Sequence, residues 1–468
     1  MNEKNTELAV ATEVFLHLLG SPISCALFKL VNMQCLKHRQ RIIDYAFNYY
    51  MGKNMHKCII CDWLTKVFLL IVSEGETAFG IKQETIKGII SDIYYRRGLV
   101  SVISGIGRFG ITRPFTPFSP FLVVWNYTNA CNLRCIHCYQ RADKPLPDEL
   151  STRERRIVID ELSEAGVVSI AFSGGEPLME KDFLEIARYA ADKKMYVSLA
   201  TNGTLITEEM ACRLKEAGIQ YVEVSLDGAN PLTHDSFRNS PNAFELTVRG
   251  VRNLVKQGIF TCIATTATRH TLPEIAKIVE LSKMLGVRRF LVFNFVPTGR
   301  GKDIVDIDLS PTERENLLNF LYDELTRGEL EVLCTAPQYA RVCFQRSLRV
   351  GSDMIAPTHF YAGELCGRTK SLAEFIGGCG AGRLYCAIQP NGLVTPCVFM
   401  PIIVGNLRRE RFKSIWFSSK VMRDLRDRDR LKGKCGQCSF RYVCGGCRAR
   451  AYAYHGDYLA SDPGCIRS

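Results

Sequence analysis

No uncharged apolar run in this 468-residue chain reaches the ~18 residues needed to span a bilayer. The opening stretch, MNEKNTELAV, lacks a basic segment followed by an apolar one, so no secretory signal is expected. Peripheral membrane contact stays open, because the N-terminal part is rich in apolar residues. There is no long tract of one charge sign either. Lys and Arg number 60 against 48 Asp and Glu, a formal net charge of +12. The most basic stretch, 408–434, sets 11 Lys and Arg against 4 acids. They interleave as on a solvated helix, so nucleic acid is not the expected partner, while an anionic small molecule suits the balance.

Cysteine is the abundance, at 20 residues. Without a secretory signal, and with clustering at metal-ligand spacings, ligation is expected rather than disulfides. The expected compartment is a reducing cytoplasm, in an organism that protects oxygen-sensitive groups.

Residues 1 to about 110 read as helical, with apolar residues at helical spacing in RQRIIDYAFNYYMG and IKQETIKGIISDIYY. GIGRFGITRPFTPFSPF (105–121) reads as a helix-breaking linker. From 121, short β-rich runs alternate with amphipathic ones. The strands are FLVVWNY, VVSIAFS, MYVSLAT, QYVEVSLD, FTCIATTAT and RRFLVFNFV. Helices are expected over 151–165, where Ser151 and Glu154 form a capping box, and near 181–193, 207–217, 242–257 and 273–285. Six βα units predict an α/β fold, a parallel sheet closing as a partial (β/α)6 barrel of the TIM type, with its chemistry at the C-terminal strand ends. The boundaries expected are 1–115 for the helical region and linker, 116–309 for the barrel, 310–378 for a helical and irregular bridge, and 379–468 for a cysteine-rich module.

The first strand runs straight into NACNLRCIHCYQ, with Cys131, Cys135 and Cys138 at spacings of four and three. Three thiolates on a four-iron cluster leave one iron open for a substrate. Zinc with three protein ligands also keeps an open position, so spacing alone does not choose between them.

CNLRCIHC resembles the CxxxCxxC motif of the radical S-adenosylmethionine (radical SAM) enzymes. The resemblance implies a 4Fe–4S cluster whose open iron is chelated by S-adenosylmethionine. Electron transfer would split the sulfonium bond and give a 5′-deoxyadenosyl radical that abstracts hydrogen from an unreactive carbon. His137 would stack on adenine. Ser173, Gly174, Gly175, Glu176 and Pro177 in FSGGEPLM resemble the family's GGEP motif. By the same resemblance Thr201 and Asn202 line the pocket, Ser225 and Asp227 approach the ribose or carboxylate, Arg269 pairs with the ligand carboxylate, and Val296 and Pro297 border the adenine.

The C-terminal cysteines resemble the SPASM extension of that family. In its fullest arrangement Cys379, Cys386, Cys397 and Cys447 hold one auxiliary 4Fe–4S cluster, and Cys435, Cys438, Cys444 and Cys465 a second. A replaced or missing ligand at Cys386 would leave an open iron at the first. The closing stretch is similar to the enzymes of alternative haem and haem d1 synthesis and their archaeal relatives. An oxidoreductase acting on a tetrapyrrole, a peptide or protein, or a lipid is implied, with ferredoxin or flavodoxin as electron donor and no general base assigned. The reading kept against it is a non-catalytic scaffold with zinc or iron–sulfur sites. Cys58 and Cys61 in CIIC read as core, as do Cys334, Cys343 and Cys366; His359 and Tyr361 carry no assignment.

Overall fold

The computed structural model describes residues 19–53, 58–79, 82–350, 354–355, 363–364 and 374–467. Cys366, His359 and Tyr361 lie outside the described residues.

Among the described residues five helices come first: α1 (Pro22–Val31), α2 (Ile42–Tyr50), α3 (Ile59–Phe79), α4 (Gln83–Ser91) and α5 (Ile93–Phe109). They share a core of their own that includes Phe28, Val31, Ile43, Phe47, Phe68 and Ile106, where burying one such side chain contributes roughly 1.5–3 kcal/mol. The expected break at 105 is absent: α5 continues through Gly105 and Gly107 to Phe109. Gly105 is needed because a Cβ there would come within 2.6 Å of Thr116 O. Glycine here permits close packing rather than a turn.

The barrel then alternates β1 (Leu122–Thr128), α6 (Thr152–Ala165), β2 (Ser169–Gly174), α7 (Phe183–Asp192), β3 (Tyr196–Thr201), α8 (Glu208–Glu216), β4 (Tyr221–Ser225), α9 (Pro231–Arg238), α10 (Ala243–Lys256), β5 (Phe260–Ala267), α11 (Ile275–Met284) and β6 (Arg289–Asn294). The capping box at Ser151 and Glu154 starts α6 as expected. Within the stretch read as a bridge lie α12 (Pro311–Arg327), a seventh parallel strand β7 (Glu331–Cys334), α13 (Gln338–Val350) and a small antiparallel pair, β8 (Met354–Ile355) with β9 (Gly363–Glu364). Cys334 and Cys343 are buried in the main core.

The C-terminal segment carries β10 (Tyr385–Ile388), β11 (Leu393–Thr395), β12 (Gly405–Asn406), α14 (Phe412–Ser418), α15 (Lys420–Arg426), α16 (Gly433–Gln437) and α17 (Arg448–His455). It joins the barrel sheet, whose order is β12-β11-β10-β1-β2-β3-β4-β5-β6-β7. β10 lies parallel to β1, with Val123 opposite Cys386. The apolar core packs Trp125, Ile170, Val197, Val222, Ile263 and Val292 against the helices. Strand residues alternate faces, so the intervening side chains line a cavity inside the sheet's curve. α5 meets the strand starts: the Arg97 guanidinium donates to Lys193 O at 2.9 Å and Ser163 O at 3.2 Å, and Tyr94 sets its ring edge-on to Tyr196 at 5.4 Å. Among the described residues no helix is long and apolar enough to cross a membrane.

Candidate functional site

A cavity of about 1080 Å³ runs inside the sheet, from Tyr94 and Leu99 of α5 at the strand starts to the cysteine loop at the strand ends. Cys131, Cys135 and Cys138 line its mouth. The loop carrying them is pinned at both ends. Cys131 N donates to Asp143 O at 3.1 Å, and the Glu149 carboxylate accepts from Thr128 Oγ1 and Asn129 N at 2.9 and 2.8 Å.

The surroundings suit thiolates. The Leu133 amide donates to Cys131 Sγ at 3.4 Å and the Ala142 amide to Cys138 Sγ at 3.5 Å. Arg238 Nη1 stands 3.7 Å from Cys135 Sγ. Yet burial pushes the Cys131 thiol up to about 12 and raises Cys135 as well. Buried thiols of this kind ionise when a metal supplies the positive charge, so the donor set fits an iron–sulfur cluster. Two buried donors on residues of the lining, Arg238 Nε and Asn294 Nδ2, have no hydrogen-bond partner.

The GGEP segment does something the motif alone does not reveal. Ser173, Gly174 and Gly175 line the cavity. A Cβ on Gly174 would meet Thr128 O at 2.6 Å, and one on Gly175 would meet Ala130 O at 2.0 Å. Gly175 N donates to Thr128 O at 2.7 Å and Glu176 N to Ala130 O at 2.8 Å. The two glycines therefore seat the cysteine loop on β2. Glu176 is fully buried and outside the cavity lining, as is Pro177. Its carboxylate accepts from Thr201 Oγ1 and the Asn202 amide, each at 2.9 Å, tying β2 to β3. Burial raises that carboxyl to about 7 against the pull of these donors.

Thr201, Asn202, Ser225 and Val296 line the cavity; Pro297 is outside the lining. Asp227 is fully buried behind it, ion-paired with Arg238 and 3.7 Å from His137 Nε2. The His137 ring lines the cavity, but Phe237 stacks on one face at 4.1 Å between centroids. Burial and the Arg238 charge hold the imidazole well below its usual range, and so neutral.

Arg269 departs from expectation. β5 ends at Ala267 and the chain turns outward, so the Arg269 side chain is exposed and pairs with Glu313 at 3.1 Å. It does not reach the cavity. The cations at the mouth are Arg238, at the end of α9, and Arg300, whose Nε donates to Cys135 O at 2.8 Å and Nη1 to Ala142 O at 3.0 Å. Neither sits at a strand end, and no spacing marks them.

Cys379, Cys397 and Cys447 line the same cavity from the other side, and Tyr385 Oη donates to Cys397 Sγ at 2.7 Å. Cys386 does not join them. It follows Tyr385 on β10, and alternation turns it to the opposite face, where it is fully buried among the helices with Val123 and Trp125. Cys435, Cys438, Cys444 and Cys465 lie outside the cavity lining. Cys444 is within electrostatic reach of Cys435 and Cys465. Amides donate to three of these sulfurs: Asp462 N to Cys435 at 3.4 Å, Phe440 N to Cys438 at 3.4 Å and Gly446 N to Cys444 at 3.3 Å. Asp462, fully buried, accepts from the Cys447 amide and Gln338 Nε2, both at 2.7 Å. It braces the two sets against each other, and sequence reasoning missed it.

Comparison with known proteins adds the family. The model of the radical SAM superfamily matches residues 125–282, and that of the SPASM iron–sulfur cluster-binding domain matches 379–439. The chain is 42% identical over 350 residues to an AdoMet-dependent heme synthase of Methanosarcina barkeri, covering 74% of this chain and 97% of that protein. It is 31% identical to a mycofactocin maturase of Mycobacterium tuberculosis, over 75% of this chain and 83% of that one. SuiB of Streptococcus suis, solved with S-adenosylmethionine, shares the fold: TM-score 0.63 at 17% identity, over 91% of this chain and 93% of that one.

Proposed function

Because the chain belongs to the radical SAM superfamily and carries a SPASM module, we propose that it oxidises a carboxylate-bearing side chain of a tetrapyrrole. It is a radical SAM enzyme whose cofactors are S-adenosylmethionine, a 4Fe–4S cluster and auxiliary iron–sulfur clusters. The observation that carries the substrate reading is the shared cavity, onto which both Cys131, Cys135, Cys138 and Cys379, Cys397, Cys447 open. Its volume of about 1080 Å³ lies just above that of ordinary ligand pockets, roughly 300–1,000 Å³, room for a cofactor and a second large molecule. Phe293, Phe295 and Phe399 supply apolar area, while Arg300 offers a cation to a carboxylate. The relative named as a heme synthase supports the same class.

In this reading residues 116–309 hold the reacting centre and 379–468 the auxiliary sites. Cys131, Cys135 and Cys138 are the ligands of the first cluster. Ser173, Gly174, Thr201, Asn202 and Ser225 contact the sulfonium cofactor, and Arg238 takes the carboxylate role expected of Arg269. Cys379, Cys397 and Cys447 hold the nearer auxiliary cluster with one position left toward the cavity. Cys435, Cys438, Cys444 and Cys465 close the farther one. When bound, these groups supply a 5′-deoxyadenosyl radical that takes hydrogen from an unactivated carbon, and a route for the electron the substrate gives up. The chain's own part is to aim and to keep water out: α5 closes the strand starts, and the pinned cysteine loop covers the strand ends. An external one-electron donor of the ferredoxin or flavodoxin type is required.

The test is anaerobic turnover with S-adenosylmethionine and a reductant, offering an iron porphyrin bearing propionate groups. Faster 5′-deoxyadenosine release with a mass change on the porphyrin is expected. An inert porphyrin, with release driven by a peptide instead, would move the enzyme to the maturase side of its family.

A further inference from the structure

Outside the cavity lining, the N-terminal helices gather four metal-binding side chains that neither family model covers. We propose that Cys35, His38, Cys58 and Cys61 form a closed structural zinc site. They come as two pairs, Cys35-x-x-His38 and Cys58-x-x-Cys61, the spacing by which zinc modules draw two ligands from each of two elements.

The first pair sits on a tight turn after α1. Gln34 bridges to Arg41, Cys35 N donates to Gln40 O at 2.9 Å, and Arg39 N returns to Cys35 O at 2.8 Å. Arg39 adopts φ +55° to close it. The turn aims the amides of Lys37 and His38 at the Cys35 sulfur, a pattern that favours a thiolate ligand. The second pair opens α3. Three residues apart at a helix start, Cys58 and Cys61 fall on one face, and Asp62 N donates to Cys58 O at 2.8 Å.

The four donor atoms lie within 4.8 Å of one another. Cys35 Sγ and Cys58 Sγ are 3.8 Å apart, and His38 Nε2 and Cys61 Sγ 3.1 Å. A tetrahedron with Zn–S near 2.3 Å and Zn–N near 2.05 Å has edges of about 3.6–3.8 Å. A disulfide needs about 2.05 Å between sulfurs, so the thiols are set apart as ligands are. A four-iron cluster sits between its thiolates and needs them wider than ligands of a single ion. Three thiolates and one imidazole in a closed set are a Cys3His donor set of the kind that structural zinc takes. All three cysteines are buried, and the His38 ring lies stacked on Tyr45 at 5.7 Å. Tyr45 Oη in turn donates to the Asp62 carboxylate, so the neighbour of Cys61 helps orient the ring. The ion would pin the turn to α3 in a small core built from few elements.

The experiment uses the full chain with its iron–sulfur centres intact. Anaerobically purified protein should contain about one zinc per chain besides its iron, retained through dialysis against a mild chelator. Cobalt offered during expression should give the visible bands of a tetrahedral thiolate site. The double variant Cys58→Ser/Cys61→Ser should lose the zinc and keep its iron. His38→Cys preserves four ligands and should keep the zinc, separating ligand loss from misfolding. Zinc-free protein that takes up neither zinc nor cobalt would overturn the site. So would zinc retained at full stoichiometry in the double variant.

Discussion

In the N-terminal helices two sulfurs face each other across 3.8 Å. At the barrel mouth and in the C-terminal module, no three thiols among the described residues come within 4.8 Å of one another. Both regions are rich in buried cysteine and hold their sulfurs with backbone amides. They differ in how far apart they keep them. A tight quartet suits one ion, which touches all its ligands. Wide triads and quartets suit a body of several atoms that fills the gap. The mouth differs in a second way: its thiols open onto a cavity, whereas those of the N-terminal quartet are closed over by side chains of their own core. Enclosure suits a structural role and openness a chemical one.

The strongest blow to that comparison is Cys131→Ala. It should reduce 5′-deoxyadenosine release to background. Iron should fall from about twelve to about eight per chain, one cluster of three being lost, with zinc unchanged. Iron analysis and chromatography of the nucleoside check it. A variant that still cleaves S-adenosylmethionine would remove the mouth from the chemistry.

A finer cut separates two cysteines eleven residues apart. Cys397→Ala should remove about four irons and slow substrate oxidation while S-adenosylmethionine cleavage continues. Cys386→Ala should keep all its iron, because that thiol is buried among Val123 and Trp125 on the other face of β10. Its cost should be a small cavity, about 1–2 kcal/mol of stability. Equal iron loss in both would place Cys386 back among the ligands.

That pair also marks where sequence reading ran out. The six strands, the cysteine loop after β1 and the outer helices follow from periodicity and motif, because each is encoded within ten or fifteen neighbouring residues. What depends on distant partners is not so encoded. β10 pairs with β1 across more than two hundred residues, and only that pairing decides that Tyr385 faces the cavity and Cys386 does not. Arg269 stands at a strand end and looked like the carboxylate partner, yet the turn after β5 directs it to Glu313. Arg238 is delivered by a helix end. Cys58 and Cys61 of CIIC are core, as expected, but their nearness to Cys35 and His38 was not legible, because those two sit on a turn some twenty residues earlier with no apolar periodicity to announce it.

Deeper in the barrel stands a half-buried acid with no metal to bear its charge. Glu223 of β4 lines the cavity, and burial raises its carboxyl to about 7 against the opposing charge of Arg289 of β6. Arg289 is engaged by Glu331 of β7 at 2.6 Å, and the other neighbours, Tyr221 and Cys262, are themselves held protonated by burial. Below the unfolded value of ~4.3 both states carry the proton and nothing is lost. As pH rises from there toward 7, the unfolded chain gives up its proton and the folded one keeps it. Stability therefore falls by about 1.4 kcal/mol per unit and levels off above 7, a total of up to about 4 kcal/mol. Glu223→Gln cannot ionise and escapes this loss. Its thermal midpoint, taken anaerobically with the clusters in place, should exceed the parent's clearly at pH 8 and only slightly near pH 5. An equal gain at both would mean that the amide merely packs better. No gain at either would mean that the carboxylate already has a counter-charge in the cavity, and the contrast between a metal-bearing mouth and a metal-free interior would fail.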